Sequence, residues 1–318
     1  MVLLHLNTGK MGMCNMTEEQ RLINLNVPKG KIDVILDTDA YNEIDDQFAL
    51  SYLLKSKERF LCKAIYSAPF LNDRSTSPKE GMEKSYDEIL KLLKLCKEDI
   101  EVFKGSEKYL DDEKTPVISP ASLDLSKRAL NYSPEKPLYV VAIGAITNIA
   151  SAILINPEIA NNIVIVWLGG HSHHWHDTLE FNMRQDIASA KVILNSKAPF
   201  IQLPCMGVVS AFSVSEADLR ANLIGKTALC DYLCKSTIDE ANTYAFGTAW
   251  SRVIWDVTAV AFLLNDDDRF MLSKIIPTPD VNYDGKYVMR ENSHLMRYVY
   301  HIDRDALFND LIKKLTNG

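Results

Sequence analysis

Val34-Ile35-Leu36-Asp37-Thr38-Asp39-Ala40-Tyr41-Asn42-Glu43-Ile44-Asp45-Asp46-Gln47-Phe48-Ala49-Leu50 is the stretch that decides the fold. Its apolar opening, with the β-branched residues Ile32, Val34 and Ile35, predicts a buried strand. The strand runs into two alternating carboxylates, Asp37 and Asp39. After a short polar loop, Asp45 and Asp46 stand where a helix begins, ahead of Phe48, Ala49, Tyr52 and Leu53 at helical spacing. Carboxylates this crowded repel one another unless a cation or a proton relieves them. Helix capping accounts for Asp45 and its neighbour, because a good cap is worth about 0.5–2 kcal/mol. It does not account for Asp37 and Asp39 at the mouth of an apolar strand. Oxygen-only ligands at this density suit Ca²⁺ or Mg²⁺ rather than zinc or copper.

Outward from this junction the chain alternates between strand and helix patterns. Strands are expected at Leu61–Ser67, Leu138–Ile143, Ile163–Leu168 and Phe200–Leu203, and helices at Lys79–Cys96, Thr147–Leu154 and Asp186–Asn195. The near-continuous apolar runs are those of central parallel strands. Residues 106–136 are polar and turn-rich and read as an excursion. The later part is more helical (Ser215–Leu223, Ala228–Ala245, Asp256–Leu264), with a hairpin-like stretch near Val281–Met289. The pattern predicts one α/β domain, a mostly parallel doubly wound sheet flanked by helices, over residues 30–318, with residues 1–29 as an N-terminal extension. In such sheets ligands bind beyond the carboxyl ends of the strands, which is where the aspartates fall.

The 318 residues are 47% hydrophobic, ample for one large core, and carry a net charge of −7 with a pI of about 5.6. No basic stripe appears, which argues against nucleic acid or an anionic membrane as partner. No apolar run reaches transmembrane length, and Met1–Asn26 lacks the parts of a signal peptide. The cysteines Cys14, Cys62, Cys96, Cys205, Cys230 and Cys234 show no C-x-x-C spacing, and Cys230 and Cys234 read as one apolar helix face. A cytoplasmic, reducing setting is the expectation.

Three further segments fall at strand ends or helix starts. In Ile143-Gly144-Ala145-Ile146-Thr147-Asn148, the glycine permits a tight strand-to-helix turn and Thr147 can cap. Glu180-Phe181-Asn182 sets a carboxylate and an amide beside an aromatic ring, a combination suited to sugar hydroxyls. Asp256, after Trp255, opens an apolar helix. Together with Asp37-Thr38-Asp39 and Asp45-Asp46, these segments make the chain resemble the inosine–uridine-type nucleoside hydrolases over roughly residues 31–318.

That resemblance implies a nucleoside hydrolase-like fold with a Rossmann-like core and a Ca²⁺-dependent N-ribohydrolase that uses a Ca²⁺-bound water. The implied metal ligands are Asp39, Asp46, the carbonyl of Ile143, and Asp256, with Asp39 also the catalytic base. Asp45 would hold the 2′-hydroxyl, Asn182 with Asp256 the 3′-hydroxyl, and Glu180 the 5′-hydroxyl, with Phe181 shielding them. Family members are commonly oligomeric, so a homodimer or homotetramer is expected, acting on a small nucleoside-like substrate.

The pattern also departs from the family's. The aspartate loop is longer, so Asn42 or Glu43 can enter the site. Ser67-Ala68-Pro69-Phe70 replaces a usual Gly-Asn, so that ribose contact is lost or Asn72 supplies it. Trp255 stands where His is frequent and can stack on a base. Of the clustered His171, His173, His174 and His176, His174 is the expected proton donor to the leaving base; a zinc site there lacks other soft ligands. Two rivals remain. One is a catalytically silent ribose- or nucleoside-binding protein. The other is a haloacid-dehalogenase-type phosphatase, suggested by Asp37-Thr38-Asp39.

Overall fold

The computed structural model describes residues 16–290 and 292–317. In chain order the elements are α1 (Glu18–Asn24), β1 (Ile32–Thr38), α2 (Asp45–Lys55), β2 (Phe60–Ser67), α3 (Pro78–Cys96), β3 (Val102–Lys104), α4 (Pro120–Arg128), β4 (Leu138–Ala142) and α5 (Thr147–Ile155). There follow β5 (Ile163–Leu168), α6 (Phe181–Gln185), α7 (Ile187–Asn195), β6 (Phe200–Leu203), β7 (Ser213–Ser215), α8 (Glu216–Asn222) and α9 (Ala228–Ala245). The chain ends with β8 (Ser251–Val253), α10 (Val257–Phe262), β9 (Met271–Pro277), β10 (Asp280–Val281), β11 (Tyr287–Val288), β12 (Leu295–Ile302) and α11 (Arg304–Thr316).

An eight-stranded sheet in the order β3-β2-β1-β4-β5-β6-β12-β9 forms the centre. β1 pairs in parallel with both β2 and β4, and the winding direction reverses between β1 and β4. β12 continues in parallel beside β6, and β9 closes the edge antiparallel to β12. β4 and β5 are buried along their whole length because helices cover both faces, as their unbroken apolar sequences require. Leu36 and Val34 face one apolar layer with Phe48, Leu92 and Phe262; Ile35 faces the other with Leu125, Ile149 and Ile193.

α2 is buried from Asp45 through Leu54, so its acidic N-terminus lies inside the protein and not at the surface. α3 starts at Ser77, whose hydroxyl accepts from the Glu80 N–H, with Pro78 in the first turn. The expected excursion at 106–136 contains β3's exit and the whole of α4, opened by Ser119 and Ser122 in a reciprocal capping box. The expected hairpin is the short pair β10–β11.

Residues 1–15 of the expected extension lie outside the described residues. Residues 18–24 form α1, which is docked on the domain. Buried Arg21 donates to the carbonyls of Lys197 (3.0 Å) and Leu295 (2.5 Å), and Asn24 to that of Pro134 (2.8 Å). Among the described residues all cysteines are free. Cys230 and Cys234 each reach a backbone carbonyl and do not bridge, and Cys14 lies outside. No described helix is long and apolar enough to cross a membrane.

Candidate active site

A cavity of about 320 Å³ opens at the carboxyl ends of the central strands, where the winding reverses. Asp39 reaches it from just past β1, Asp45 and Asp46 from the first turn of α2, and Ile143 from just past β4. Glu180, Phe181 and Asn182 come from the start of α6, and Trp255 with Asp256 from the start of α10. Gly144 has to be glycine here, because a Cβ would lie 2.9 Å from the Ala68 Cβ and 3.1 Å from Asp39 Oδ1.

The carboxylates converge although they are far apart in sequence. Asp45, Asp46 and Asp256 each offer an oxygen within 4.8 Å of the others. Asp45 Oδ2 accepts from the Asp256 N–H at 3.3 Å, and the Thr38 hydroxyl donates to Asp46. Both Asp39 oxygens are buried without a hydrogen-bond partner. Burial, followed by the neighbouring carboxylates, pushes Asp39, Asp45 and Asp256 well above the ordinary range. Burial pushes Asp46 to about 7, against the pull of the hydrogen bond from Thr38. An all-oxygen donor set with unsatisfied buried anions fits a hard divalent cation. Asp45, not Asp39, makes the tightest carboxylate grouping; Asp39 faces the same cavity. The Ile143 carbonyl accepts from Asn182 Nδ2 at 3.2 Å.

Asp37 does not line the cavity. It is fully buried, accepts from Asn148 Nδ2 at 2.7 Å, and is pushed by burial to about 7. Asn148 in turn accepts from the Ser106 N–H at 2.8 Å, and Thr147 donates to Asp186 at 2.7 Å. The Thr-Asn pair after Gly144 is therefore a brace behind the acidic floor. With Asp37 turned away, the residue that a haloacid-dehalogenase-type phosphatase needs as its nucleophile cannot reach a substrate, and that reading falls.

At the far side of the cavity Glu180 caps α6. Its carboxylate accepts from the N–H groups of Gly170 (2.9 Å), Asn182 (2.8 Å) and Met183 (3.0 Å). Burial still holds its pKa above the usual value. Asn182 donates to the carbonyls of Leu168 and Ile143, which fixes the amide and leaves its oxygen as the free acceptor. The Arg184 guanidinium lies 5.2 Å from the Phe181 ring centroid.

Two expected residues are not brought to the cavity. Asn72 is used by the loops: it donates to Asn42 Oδ1 at 2.6 Å and accepts from the Arg74 N–H at 2.9 Å. Asn42 and Glu43, from the longer aspartate loop, line the cavity in its place, and Glu43 pairs with Arg252 at 2.8 Å. His174 points the other way, 3.3 Å from the Ser172 hydroxyl, and lines a separate depression with Lys274 and Tyr300. The histidine on the cavity is His171. Its Nδ1 accepts from the Met206 N–H at 3.3 Å, so neutral His171 carries its proton on Nε2. His173 is sandwiched between Tyr287 and Tyr298, with centroids 4.5 Å away, and His176 pairs with Asp177 at 2.9 Å. The four histidines diverge, and among the described residues the candidate metal group is the aspartate one. Sequence reasoning also missed Cys205 and Met206 in the wall, although their place just past β6 was the available signal.

A doubly wound sheet with a carboxylate-walled cavity at its reversal point defines a class of enzyme built to meet positive charge. The chain matches the sequence model of inosine–uridine preferring nucleoside hydrolases over residues 34–309, and it belongs to that family of glycosidases, which hydrolyse N-glycosyl compounds. Its fold is that of a plant nucleoside hydrolase (18% identity, 90% of this chain and 99% of that one, TM-score 0.72). It is also that of a purine-preferring ribonucleoside hydrolase from Gardnerella vaginalis (19% identity, 89% and 98% coverage, TM-score 0.71). An inosine–uridine preferring nucleoside hydrolase from Bacillus anthracis is similar as well (17% identity, 90% and 100% coverage, TM-score 0.65). No curated protein matches the sequence.

Proposed function

We propose that this chain hydrolyses the N-glycosidic bond of a ribonucleoside or related N-riboside to free base and ribose, with Ca²⁺ held by Asp39, Asp46, Asp256 and the Ile143 carbonyl. The observation that carries this is the convergence of Asp39, Asp45, Asp46 and Asp256 on one cavity, with both Asp39 oxygens buried and unpartnered. When bound, such a cation lowers the pKa of a water and engages ribose hydroxyls.

The chain's own residues supply the rest. Asp39 takes a proton from the attacking water. Asp45 accepts from the 2′-hydroxyl, Asp256 and the Asn182 oxygen from the 3′-hydroxyl, and Glu180 from the 5′-hydroxyl, which together fix the ring for attack. Cleavage builds positive charge on the ribose, and the surrounding carboxylates stabilise it as it develops. Phe181 and Trp255 wall the cavity with apolar surface, and His171, through Nε2–H, takes the role given above to His174 by hydrogen-bonding the departing base. A cytoplasmic homodimer or homotetramer belongs to the same reading, and sedimentation in solution tests it.

A binder without turnover is favoured by one observation: Asn72, the expected replacement for a ribose contact, is occupied by Asn42. A reducing-sugar assay over a nucleoside panel, with and without chelator, separates the two. Sugar release that stops with chelator and in Asp39→Asn supports the hydrolase. Tight ribose binding with no release from any N-riboside in excess Ca²⁺ supports the binder.

A further inference from the structure

Among the described residues, buried polar atoms without partners include both Asp39 oxygens in the acidic cavity and atoms of Arg21, Arg290 and His294, which line a second cavity of about 870 Å³ at the opposite, amino ends of the parallel strands. This second cavity lies between the start of α1, the C-terminal ends of α5 and α7, and the residues leading into β12. Among the described residues its lining carries three full cations, Arg21, Lys197 and Arg290, against a single carboxylate, Glu18. Glu18 is 62% exposed and 3.9 Å from Arg21, beyond hydrogen-bond reach. Asp280 stands behind Arg290 at 3.0 Å but is shared with Lys191 at 3.2 Å. The C-terminal dipoles of α5 and α7 offset about one charge more. Positive charge remains in excess.

We propose that this cavity binds a compact oxyanion of the phosphate class between Arg21, Lys197 and Arg290. Arg21 is the anchor. It is 4% exposed, and its Nε and Nη1 are committed to the carbonyls of Lys197 and Leu295, so the guanidinium is held rigid. Its Nη2 is buried and has no partner among the described residues, and Arg21 lines the cavity. A fixed fork with a free N–H is preorganised for phosphate, which arginine binds more specifically than lysine does. Among the described residues Arg290 Nε and the Nε2 of half-buried His294 are also without partners. Burial and then Arg21, Arg290 and Lys197 depress His294, which lines the same cavity, to about 4. Residues 1–15, outside the described part, contain no Asp or Glu, so their side chains offer no counter-charge. Glu291, also outside it, is the acidic neighbour in sequence and is included in the test.

The experiment is calorimetric titration and thermal shift of the full chain with inorganic phosphate, in chelator, against chloride at matched ionic strength. Phosphate is expected to bind and raise the melting temperature where chloride does not. Arg290→Met and Lys197→Met, whose side chains do not anchor α1, should each weaken binding at least about tenfold. Glu291→Gln should leave binding equal or tighter, and Asp39→Asn should leave it unchanged, which separates this site from the hydrolase reading. Competition by ribose 5-phosphate tells a phosphorylated metabolite from free phosphate. No preference for phosphate over chloride overturns the proposal. So does unchanged binding in both cation variants, or binding that appears only in Glu291→Gln, because the site would then be closed by its own carboxylate.

Discussion

Asp45 accepts a hydrogen bond from the backbone N–H of Asp256 at 3.3 Å, which ties the first turn of α2 to the N-cap of α10 across 211 positions of sequence. Because α10 is buried throughout and Asp256 is itself 3% exposed, its charge has to be met at the cavity it lines. Asp256→Asn keeps the shape and the backbone donor but removes one anion. Its activity on the best nucleoside should fall at least about 100-fold, and the Ca²⁺ concentration for half-maximal activity should rise. An unchanged Ca²⁺ dependence would take Asp256 out of the metal set.

The metal-free protein should be most stable in mild acid. Asp46 has a folded pKa of about 7 and Asp39, Asp45 and Asp256 are also raised, all above the unfolded carboxylate value. A raised carboxylate favours the folded state while protonated. Its contribution is complete below the unfolded pKa and is lost as pH climbs from about 4 through about 7. Thermal melts in chelator should therefore fall between pH 5 and pH 8, and added Ca²⁺ should raise the melting temperature more at pH 8 than at pH 5. A melting temperature in chelator that rises over this interval would contradict the burial of these groups as anions.

How much of this was legible depends on where the chemistry sits in the chain. The acidic floor was readable because Asp39, Asp45 and Asp46 lie within one strand–loop–helix unit whose periodicity is strong. Asp256 looked like a cap when taken singly, Glu180 with Asn182 was only suggestive of sugar hydroxyls, and their joint spacing pointed to a site. α4 was missed although Ser119-Pro120 and Ser122 spell a helix start, because its polar surroundings masked the signal. β9 was missed because, as the edge strand, it exposes Leu272 and Ile275, which blurs the alternation, and its inner neighbour β12 was missed with it. The choice of His171 over His174 was not readable: one loop turn, set by Gly170 at φ +73°, decides which ring meets the cavity.

Asn148 should matter for stability before it matters for catalysis. It satisfies one oxygen of fully buried Asp37 and accepts from Ser106, all behind the cavity wall. Asn148→Ala leaves that carboxyl and the Ser106 N–H without partners, which should cost about 1–3 kcal/mol in urea unfolding. Asn148→Asp should be worse at pH 8 than at pH 5, because it sets a second carboxylate against Asp37. Equal stability of all three proteins would mean that the Asn148 hydrogen bonds to Asp37 and Ser106 contribute nothing to the folded state.

The leaving-group end tests the reassigned histidine. His171 is held with Nδ1 as acceptor from Met206, and burial lowers its pKa below 6.5, so at neutral pH it is an uncharged donor through Nε2. Such a group helps a basic leaving group depart and does nothing for one that leaves as a stable anion. His171→Gln should cut turnover of the best nucleoside about 100-fold while sparing p-nitrophenyl riboside. His174→Gln, altered on the far side of the loop, should leave both within about twofold, the scale of a surface change. Equal losses on both substrates in His171→Gln would mark a wall residue that only shapes the cavity, whereas a loss confined to His174→Gln would return the role to the ring that the sequence first suggested.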